Sequence, residues 1–357
     1  MRKFILFVSM GLCAACSWAG VKVELKGFDN DSVQVRWYNP VSRARIAQDS
    51  LVVANNGKFA LADVKEPALI LLLPRQYAGR DAAQLYVAPG EKFDVKLTKG
   101  ADGMDVVTKG SKLQAMIDEV SAQREALAKQ INGEKEEAKR DSLISLYYKV
   151  TTDYVEQNLD SPITLWALSM TDVEFCEKML PKVGANAKTG MFAGLDQKLA
   201  ERIKREKEVQ AAKKLTAEGE MAPDFELPTP DGSTLKMSSL RGKWVIVDFW
   251  GSWCIWCIRG IPQLKENYEK YKDKMEILSI ACRDKKDKWL AAIEKHQLNW
   301  KHVISEGAVP GSDKSVEMMY GIEGYPTKLL VNPEGKIVKR CVGEDPKFYD
   351  DFADLIK

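Results

Sequence analysis

The sequence has 357 residues, of which 45% are hydrophobic and 29% are charged, so it is long enough to form two or three hydrophobic cores. Basic and acidic residues nearly balance, and the net charge is +2. This balance argues against a dedicated nucleic-acid binder, which concentrates far more basic charge on one face.

The first 19 residues have the pattern of a signal peptide. Arg2 and Lys3 are followed by an apolar run and then by small residues, which is the usual order of such signals. The apolar run is too short to cross a membrane as a helix. We therefore predict export to the periplasm or cell envelope, where disulfides persist.

Two ways of processing this segment are open. Ser-Trp-Ala at residues 17–19 has the small-x-small form that signal peptidase cleaves, and cleavage before Gly20 would release a soluble protein. We favour this interpretation. The alternative starts from residues 12–16, which resemble a bacterial lipobox, although Cys13 stands where that motif usually has leucine. In that case Cys16 would carry a lipid anchor.

Residues 20–105 are predicted to form a β-rich domain. Residues 21–25 and 33–37 alternate apolar and polar side chains, as half-buried strands do. Asn-Asn-Gly at residues 55–57 marks a hairpin turn, and the apolar run at residues 68–73 indicates a buried strand. The pattern predicts an antiparallel sandwich or a small barrel.

Residues 106–216 change to a helical period. Apolar residues recur three and four positions apart through residues 113–131, and Asn-Gly at residues 132–133 interrupts the run. Further helices are predicted at about residues 141–158 and 195–214, with a third one between them. We interpret the region as a helical connector that holds two domains apart. The alternative is that its helices form a docking or dimerising surface.

Residues 217–357 are predicted to alternate strands and helices. An apolar strand at residues 245–250, interrupted by Asp248, leads into a helix that begins at Cys254-x-x-Cys257. A further strand, a helix, a hairpin and a closing helix follow. This order predicts an α/β domain whose crossover units pair in parallel with a right-handed connection.

Cys254 and Cys257 have the spacing of a disulfide-exchange centre. Three positions apart on a helix, their sulfur atoms share one face. The unpaired N–H groups and the partial positive charge of the helix N-terminus favour an exposed, low-pKa thiolate at Cys254. We predict that this thiolate attacks a substrate disulfide and that Cys257 then resolves the mixed disulfide.

The other cysteines argue against a disulfide framework or a zinc site. Removing residues 1–19 takes away Cys13 and Cys16 and leaves five of the seven cysteines, an odd number with one close pair. No second close pair of Cys or His supplies the further ligands that zinc needs, so we predict no metal and no cofactor. We expect Cys282 and Cys341 to be buried, inert thiols, with Cys341 the better candidate for a third redox thiol.

Four stretches of the last segment carry a resemblance to a known family. Residues 248–257, DFWGSWCIWC, resemble the active site of the thioredoxin superfamily, and GYPT at residues 324–327 resembles the loop with that family's cis-proline. GEMAPDF at residues 219–225 and LRGK at residues 240–243 look like the entry segment of its TlpA and ResA branch, the envelope thiol-disulfide oxidoreductases. The resemblance covers about residues 217–357.

The predicted fold class is therefore multidomain. After a signal peptide at residues 1–19 we expect an N-terminal antiparallel β domain, a helical connector and a C-terminal α/β thioredoxin-like domain. Residues 20–105 also resemble, more weakly, a β-rich N-terminal domain of unknown function that precedes thioredoxin-like domains in some envelope proteins.

Asp248 and Pro326 take roles from this resemblance. Asp248 stands at the position of the family's proton-relay acid; burial would raise its pKa, so that it can accept the proton of Cys257. The alternative is a strand-end carboxylate that reaches solvent or caps the next helix. Pro326 is predicted to be cis, which would turn it toward Cys254 and expose backbone groups to an extended substrate. The catalytic set is thus Cys254, Cys257, Asp248 and Pro326, and the substrate-binding set is Trp253, Ile255, Trp256 and Tyr325.

The chain departs from the TlpA and ResA pattern in two places. Ile255 and Trp256 stand between the cysteines, where small, proline or polar residues are commoner. Gly260 stands where that branch often carries a glutamate near the dithiol. We therefore expect proton chemistry beside the dithiol to depend on Asp248 or on water.

The predicted function is that of an envelope thiol-disulfide oxidoreductase, acting as a reductase. Its partners would be a protein substrate that carries a disulfide and an upstream thiol-disulfide electron donor. The alternatives are a peroxiredoxin-like peroxidase and a redox-sensing or binding module with little turnover. The peroxidase would need a Pro-x-x-x-Thr/Ser-x-x-Cys setting that the residues before Cys254 lack.

Overall fold

The computed structural model describes residues 20–28, 32–74, 82–100, 103–307 and 314–355. The chain divides into two compact units, Met1–Ile203 and Lys204–Lys357, each described here by itself. The predicted signal peptide and the possible lipid anchor at Cys16 lie outside the described residues. Within those residues, none of the helices combines the length and the apolar character that a membrane span requires.

The first unit contains two four-stranded sheets. Their strands are β1 (Lys22–Lys26), β2 (Ser32–Tyr38), β3 (Ser50–Val53), β4 (Lys58–Ala60), β5 (Ala68–Pro74), β6 (Ala83–Val87), β7 (Asp94–Lys99) and β8 (Met104–Lys109). One sheet has the order β4-β1-β7-β8 and the other β3-β2-β5-β6. Val23 and Leu25 of β1 share one buried cluster with Val33 and Val35 of β2, so the two sheets enclose a common core. The predicted sandwich is confirmed, although β1 and β7 pair in parallel while the other strands pair in antiparallel.

The helical region is confirmed, and it packs on the sandwich. Its helices are α1 (Lys112–Gly133), α2 (Glu137–Gln157), α3 (Thr164–Leu168), α4 (Val173–Met179) and α5 (Leu195–Leu215), with short 3-10 helices at Leu180–Lys182, Asn186–Lys188 and Gly190–Phe192. Leu69 of β5 and Tyr86 of β6 join a buried cluster with Ile117, Val155 and Trp166. These helices therefore form a second core with one sheet, which a simple spacer would not do.

The second unit is an α/β domain with a central five-stranded sheet. Its strands are β9 (Glu226–Pro228), β10 (Thr234–Lys236), β11 (Trp244–Trp250), β12 (Met275–Cys282), β13 (Lys301–Ser305), β14 (Thr327–Val331) and β15 (Ile337–Val342), and its helices are α6 (Ile255–Tyr271), α7 (Lys286–His296), α8 (Val316–Met319) and α9 (Pro346–Leu355), with a 3-10 turn at Met237–Leu240. The sheet order is β13-β12-β11-β14-β15, and β9 and β10 form a separate hairpin. The first three of these five strands are parallel, and β14 and β15 are antiparallel. This is the predicted thioredoxin-like arrangement, with β13 and α8 as elements that were not predicted.

The central strand β11 is buried on both faces. Val245, Val247 and Phe249 face one core cluster, whereas Ile246 and Trp250 face two others that include residues of α6. Asp248 belongs to the face of Ile246 and Trp250, because side chains alternate along a strand. The sequence therefore places one carboxyl group inside an otherwise apolar layer.

The register of the sheet aligns polar residues with Asp248. His302, Ser279, Asp248, Lys328 and Cys341 are successive partners across the five strands. Directly paired residues point to the same face of a sheet, so these side chains form a row on the side that α6 covers. Asp248, Ser279 and Lys328 of this row line the same small cavity as Cys257 of α6.

The predicted segment limits can be placed on these elements. β8 runs across the predicted limit between residues 105 and 106, and the division between the two compact units falls inside α5. The second half of α5 belongs to the second unit, where Gln210 and Lys213 donate hydrogen bonds to the Glu323 carboxylate. The domain limits themselves stay a prediction.

Candidate active site

The two cysteines lie at the N-terminus of α6, directly after the turn that follows β11. Cys254 is the N-cap residue, and the backbone N–H of Cys257 donates to its Sγ over 3.2 Å. The structure shows the pair as a disulfide with its Cα atoms 5.3 Å apart. In the reduced protein the same N–H group and the helix dipole would stabilise a thiolate at Cys254.

The turn before the dithiol is held by a residue that sequence reasoning missed. The Asp284 carboxylate accepts hydrogen bonds from the Ser252 backbone N–H at 2.6 Å and from the Ser252 hydroxyl at 2.8 Å. Asp284 follows the end of β12, which is adjacent to β11. The neighbouring strand therefore fixes the position of Cys254, and nothing in the local sequence around the cysteines indicates this contact.

The expectation of an exposed thiol at Cys254 is wrong for this disulfide form. Cys254 is 5% exposed and Cys257 is 6% exposed. Both pack in a cluster with Trp250 and Ile261, and the partly buried Ile258 and Tyr325 lie against that cluster.

The loop after α8 packs against this cluster through Tyr325. The Tyr325–Pro326 peptide bond is cis, as predicted. The Tyr325 ring stands edge-on to the Trp253 ring with 5.3 Å between the centroids. Trp253 also donates from its Nε1 to the Cys282 carbonyl at 3.1 Å. Trp253 thus ties the start of α6 to the end of β12 and to the proline loop.

The surface around the dithiol is apolar and aromatic. Trp253, Ile255 and Trp256 are each more than half exposed. The Arg259 guanidinium lies over the Trp256 ring at 4.8 Å, and that of Arg283 lies 5.9 Å from the Tyr325 ring. The structure therefore brings together all four residues that were predicted to bind substrate.

Asp248 is buried below the dithiol at 5% exposure. Its Oδ2 accepts a hydrogen bond from the Ser279 hydroxyl at 3.0 Å, and that hydroxyl accepts one from Trp300 Nε1 at 2.9 Å. Burial raises the pKa of Asp248, while the charge of Lys328 and the Ser279 hydrogen bond act in the opposite direction. The predicted burial of Asp248 is confirmed, and the alternative of a solvent-facing or helix-capping side chain is wrong. Its role as a proton acceptor stays a prediction.

Asp248 and Cys257 line the same small cavity. The cavity has a volume of about 10 Å³, which is room for about one water molecule. Gly260, Lys328 and Glu344 line it as well. The Asp248 carboxyl group and the Cys257 side chain therefore face a common space that could hold a single water molecule.

Lys328 and Glu344 form an ion pair in this cavity that sequence reasoning did not find. Lys328 Nζ donates to Glu344 Oε1 at 2.6 Å, and the side chains are 3% and 23% exposed. A Cβ atom added at Gly260 would overlap the Glu344 carboxylate. A second carboxylate therefore lies near the dithiol, in the space next to Gly260. The expectation that proton chemistry there depends on Asp248 or on water stays a prediction.

The remaining cysteines of the described residues are free and buried. Burial raises the pKa of Cys341 and raises that of Cys282 well above its usual range, so both are thiols near neutral pH. The predicted burial is confirmed, and the role of Cys341 as a third redox thiol stays a prediction. Within the described ranges, no group of three or more His, Cys, Asp or Glu side chains is arranged to hold a metal ion.

Comparisons with known proteins agree with this geometry. The AhpC/TSA family model matches residues 219–340, all within the second unit. The thiol-disulfide oxidoreductase ResA of Bacillus subtilis (strain 168) is 32% identical over 151 residues, which are 42% of this chain and 81% of ResA. ResA of Halalkalibacterium halodurans is 30% identical over 149 residues, with 41% of this chain and 81% of the relative covered.

Solved structures are similar to part of the chain. The thioredoxin domain of a thiol-disulfide oxidoreductase from Bacteroides vulgatus is 28% identical, with a TM-score of 0.35, and the alignment covers 40% of this chain and 99% of that domain.

The similarity to ResA extends over most of that protein's length. The region that the family model matches, residues 219–340, includes the Cys254–Cys257 disulfide, the buried Asp248 and the cis-proline Pro326. The chain therefore belongs to the ResA family of thiol-disulfide oxidoreductases.

Proposed function

We propose that this oxidoreductase works as a reductase of disulfide-bearing proteins in the cell envelope. The observation that carries the proposal is the Cys254–Cys257 pair at the N-terminus of α6, where a backbone N–H already points at the Cys254 sulfur. Such a site stabilises the attacking thiolate, and its partner is one helical turn away.

The reaction is a two-step exchange. The Cys254 thiolate attacks one sulfur of the substrate disulfide, forms a mixed disulfide and releases the first substrate thiolate. Cys257 then loses its proton and attacks Cys254, which releases the second substrate thiolate and leaves the Cys254–Cys257 disulfide seen in the structure. An upstream dithiol donor must return two electrons to this disulfide before the next cycle.

Substrate recognition is assigned to the exposed surface beside the dithiol. Trp253, Ile255 and Trp256 offer apolar area next to a nearly covered sulfur, and Tyr325 and Pro326 form the opposite side. An extended segment can lie along the proline loop and pair with its backbone. The substrate that fits is a flexible protein segment with apolar side chains near its disulfide.

Asp248 is assigned the role of proton acceptor in the second step. It shares the cavity with Cys257, and its raised pKa makes it a stronger base than a solvent-exposed carboxylate. Pro326 contributes by position, as a part of the loop that covers the dithiol.

The envelope location rests on the signal pattern of residues 1–19. Release after Ala19 is the favoured form, and lipidation at Cys16 is the alternative. In either form the protein would work in a compartment where substrate disulfides persist.

Reduction of insulin disulfides tests the enzyme assignment. We expect wild-type protein supplied with a dithiol reductant to precipitate insulin chains faster than the reductant alone, Cys254→Ser to lose this acceleration, and Cys257→Ser to accumulate a covalent mixed disulfide. Cys176→Ser, distant in sequence and buried, is the matched control. Wild-type protein without acceleration would favour the sensing module, and peroxide consumption that depends on Cys254 would favour the peroxidase.

The reduction potential of the Cys254–Cys257 pair tests the direction. We expect a value near the thioredoxin end of the range, about −270 mV, measured by equilibration with glutathione or dithiothreitol buffers. A value near about −120 mV would contradict a reductase and indicate an oxidant.

The rate of the second step should depend on Asp248. Reduced protein mixed with dithiobis(nitrobenzoate) releases one coloured thiolate when Cys254 attacks and a second when Cys257 resolves. Because Asp248 must be ionised to accept a proton and its pKa is raised, the second phase should speed up as pH rises through that pKa. Asp248→Asn should remove this rise and slow the second phase at neutral pH, with the first phase retained. An unchanged second phase in Asp248→Asn would refute the proton transfer.

The mass of the mature protein from the envelope fraction tests the processing. We expect a chain that begins at Gly20, and we expect Cys16→Ser to leave both mass and location unchanged. A chain that begins at a lipid-modified Cys16, and that loses its membrane association in Cys16→Ser, would establish the lipoprotein alternative instead.

A further inference from the structure

We propose that Glu344 is a positioning residue for disulfide exchange: by pairing with the buried Lys328, it leaves Asp248 free to accept the proton of Cys257. The inference rests on the proposed role of Asp248 and adds a residue from the opposite end of the domain sequence. It also explains how the chain functions with glycine at position 260.

The position of the Glu344 carboxylate is the first argument. Gly260 lies one helical turn after Cys257, so both residues are on the same face of α6. Any side chain at residue 260 would begin inside the space that the Glu344 carboxylate occupies. A segment that follows β15 therefore delivers a carboxylate to the cavity that Cys257 lines, at a point where the helix itself has no side chain.

The charge of Lys328 is the second argument. Its side chain is 3% exposed, and a buried ammonium group is costly unless a negative partner offsets it. Two carboxyl groups are near enough to act on it, since Asp248 is its partner in the β11–β14 register and Glu344 accepts its hydrogen bond. Glu344 makes that hydrogen bond, whereas Asp248 is bonded to Ser279.

This arrangement keeps Asp248 suited to act as a base. The charge of Lys328 lowers the pKa of Asp248, and the charge of Glu344 raises it. A base transfers a proton best when its pKa is close to the working pH. If Glu344 lost its charge, Lys328 would be left with Asp248 as its negative neighbour, and Asp248 would become a weaker base.

The other titratable groups around the cavity do not replace Glu344. Cys341 of β15 and Tyr349 of α9 both lie near the charge of Glu344. Burial raises the pKa of each, so both stay neutral near pH 7. Burial, together with the charges of Glu317 and Asp248, also raises the pKa of Cys282 in β12, so this residue stays a thiol. Asp345 is exposed, and its carboxylate accepts from the Lys347 backbone N–H.

The test uses the full chain and the two-phase dithiobis(nitrobenzoate) reaction. In Glu344→Gln we expect the first phase, the attack by Cys254, to be unchanged. We expect the second phase to be roughly tenfold slower at neutral pH, because a weaker base assists it. The acidic limb of the pH–rate profile, where the rate of the second phase rises with pH, should move to lower pH because Asp248 then ionises more readily.

A second variant separates charge from structure. In Lys328→Met with Glu344→Gln, the ammonium that acts on Asp248 is absent, so we expect the limb to return to the wild-type pH or above it. Asp345→Asn is the matched control, since it removes the adjacent carboxylate without touching Lys328, and its profile should equal that of the wild type.

The outcomes distinguish this inference from the proposed function. A Glu344→Gln protein whose limb does not move, or a double variant whose limb does not return, would overturn the role of Glu344 and leave the dithiol chemistry intact. A wild-type protein that releases no second thiolate would instead contradict the proposed two-step reaction.

Discussion

The burial of Asp248 in the central strand is the constraint on which the site depends. A carboxyl group inside an apolar layer needs a hydrogen-bond partner and, when ionised, a nearby opposite charge, and the two strands beside β11 supply one each. Ser279 of β12 donates to it on one side, and Lys328 of β14 faces it on the other. Because these contacts follow from strand register, a slip of one residue in either pairing would remove the polar row from the face below α6.

The polar row and the outer surface give the dithiol two different environments. Toward solvent, Trp253, Ile255 and Trp256 present apolar area to a partner. Toward the core, Asp248 and the Lys328–Glu344 pair line a small cavity. Cys254 lies at the N-terminus of α6 beside the outer surface, whereas Cys257 lines the inner cavity.

The elements that could be predicted were those with a strong local pattern. The strand at β11 has an apolar run interrupted by Asp248 alone, and α1 has a clear helical period, so each was found near its observed limits. β8 and β13 were not predicted because neither has the alternation of a half-buried strand: β8 is mostly exposed, and β13 is buried at four of its five residues. The packing of α1 and α2 on the sandwich was missed because it depends on Leu69 and Tyr86, which face away from the sandwich core.

The sequence by itself determined the reactive pair, since Cys254, Cys257 and the helix N-terminus that activates Cys254 are neighbours along the chain. It also indicated the buried acid and the cis-proline through resemblance to a family. Only the tertiary structure decided what surrounds them. Asp284 reaches the turn before Cys254, and Glu344 reaches the space next to Gly260. Both contacts form because β12 and β15 run in the same direction, so their carboxyl ends lie at the same end of the sheet. Contacts between residues so far apart in sequence leave no periodic or spacing signal, so a single sequence cannot reveal them.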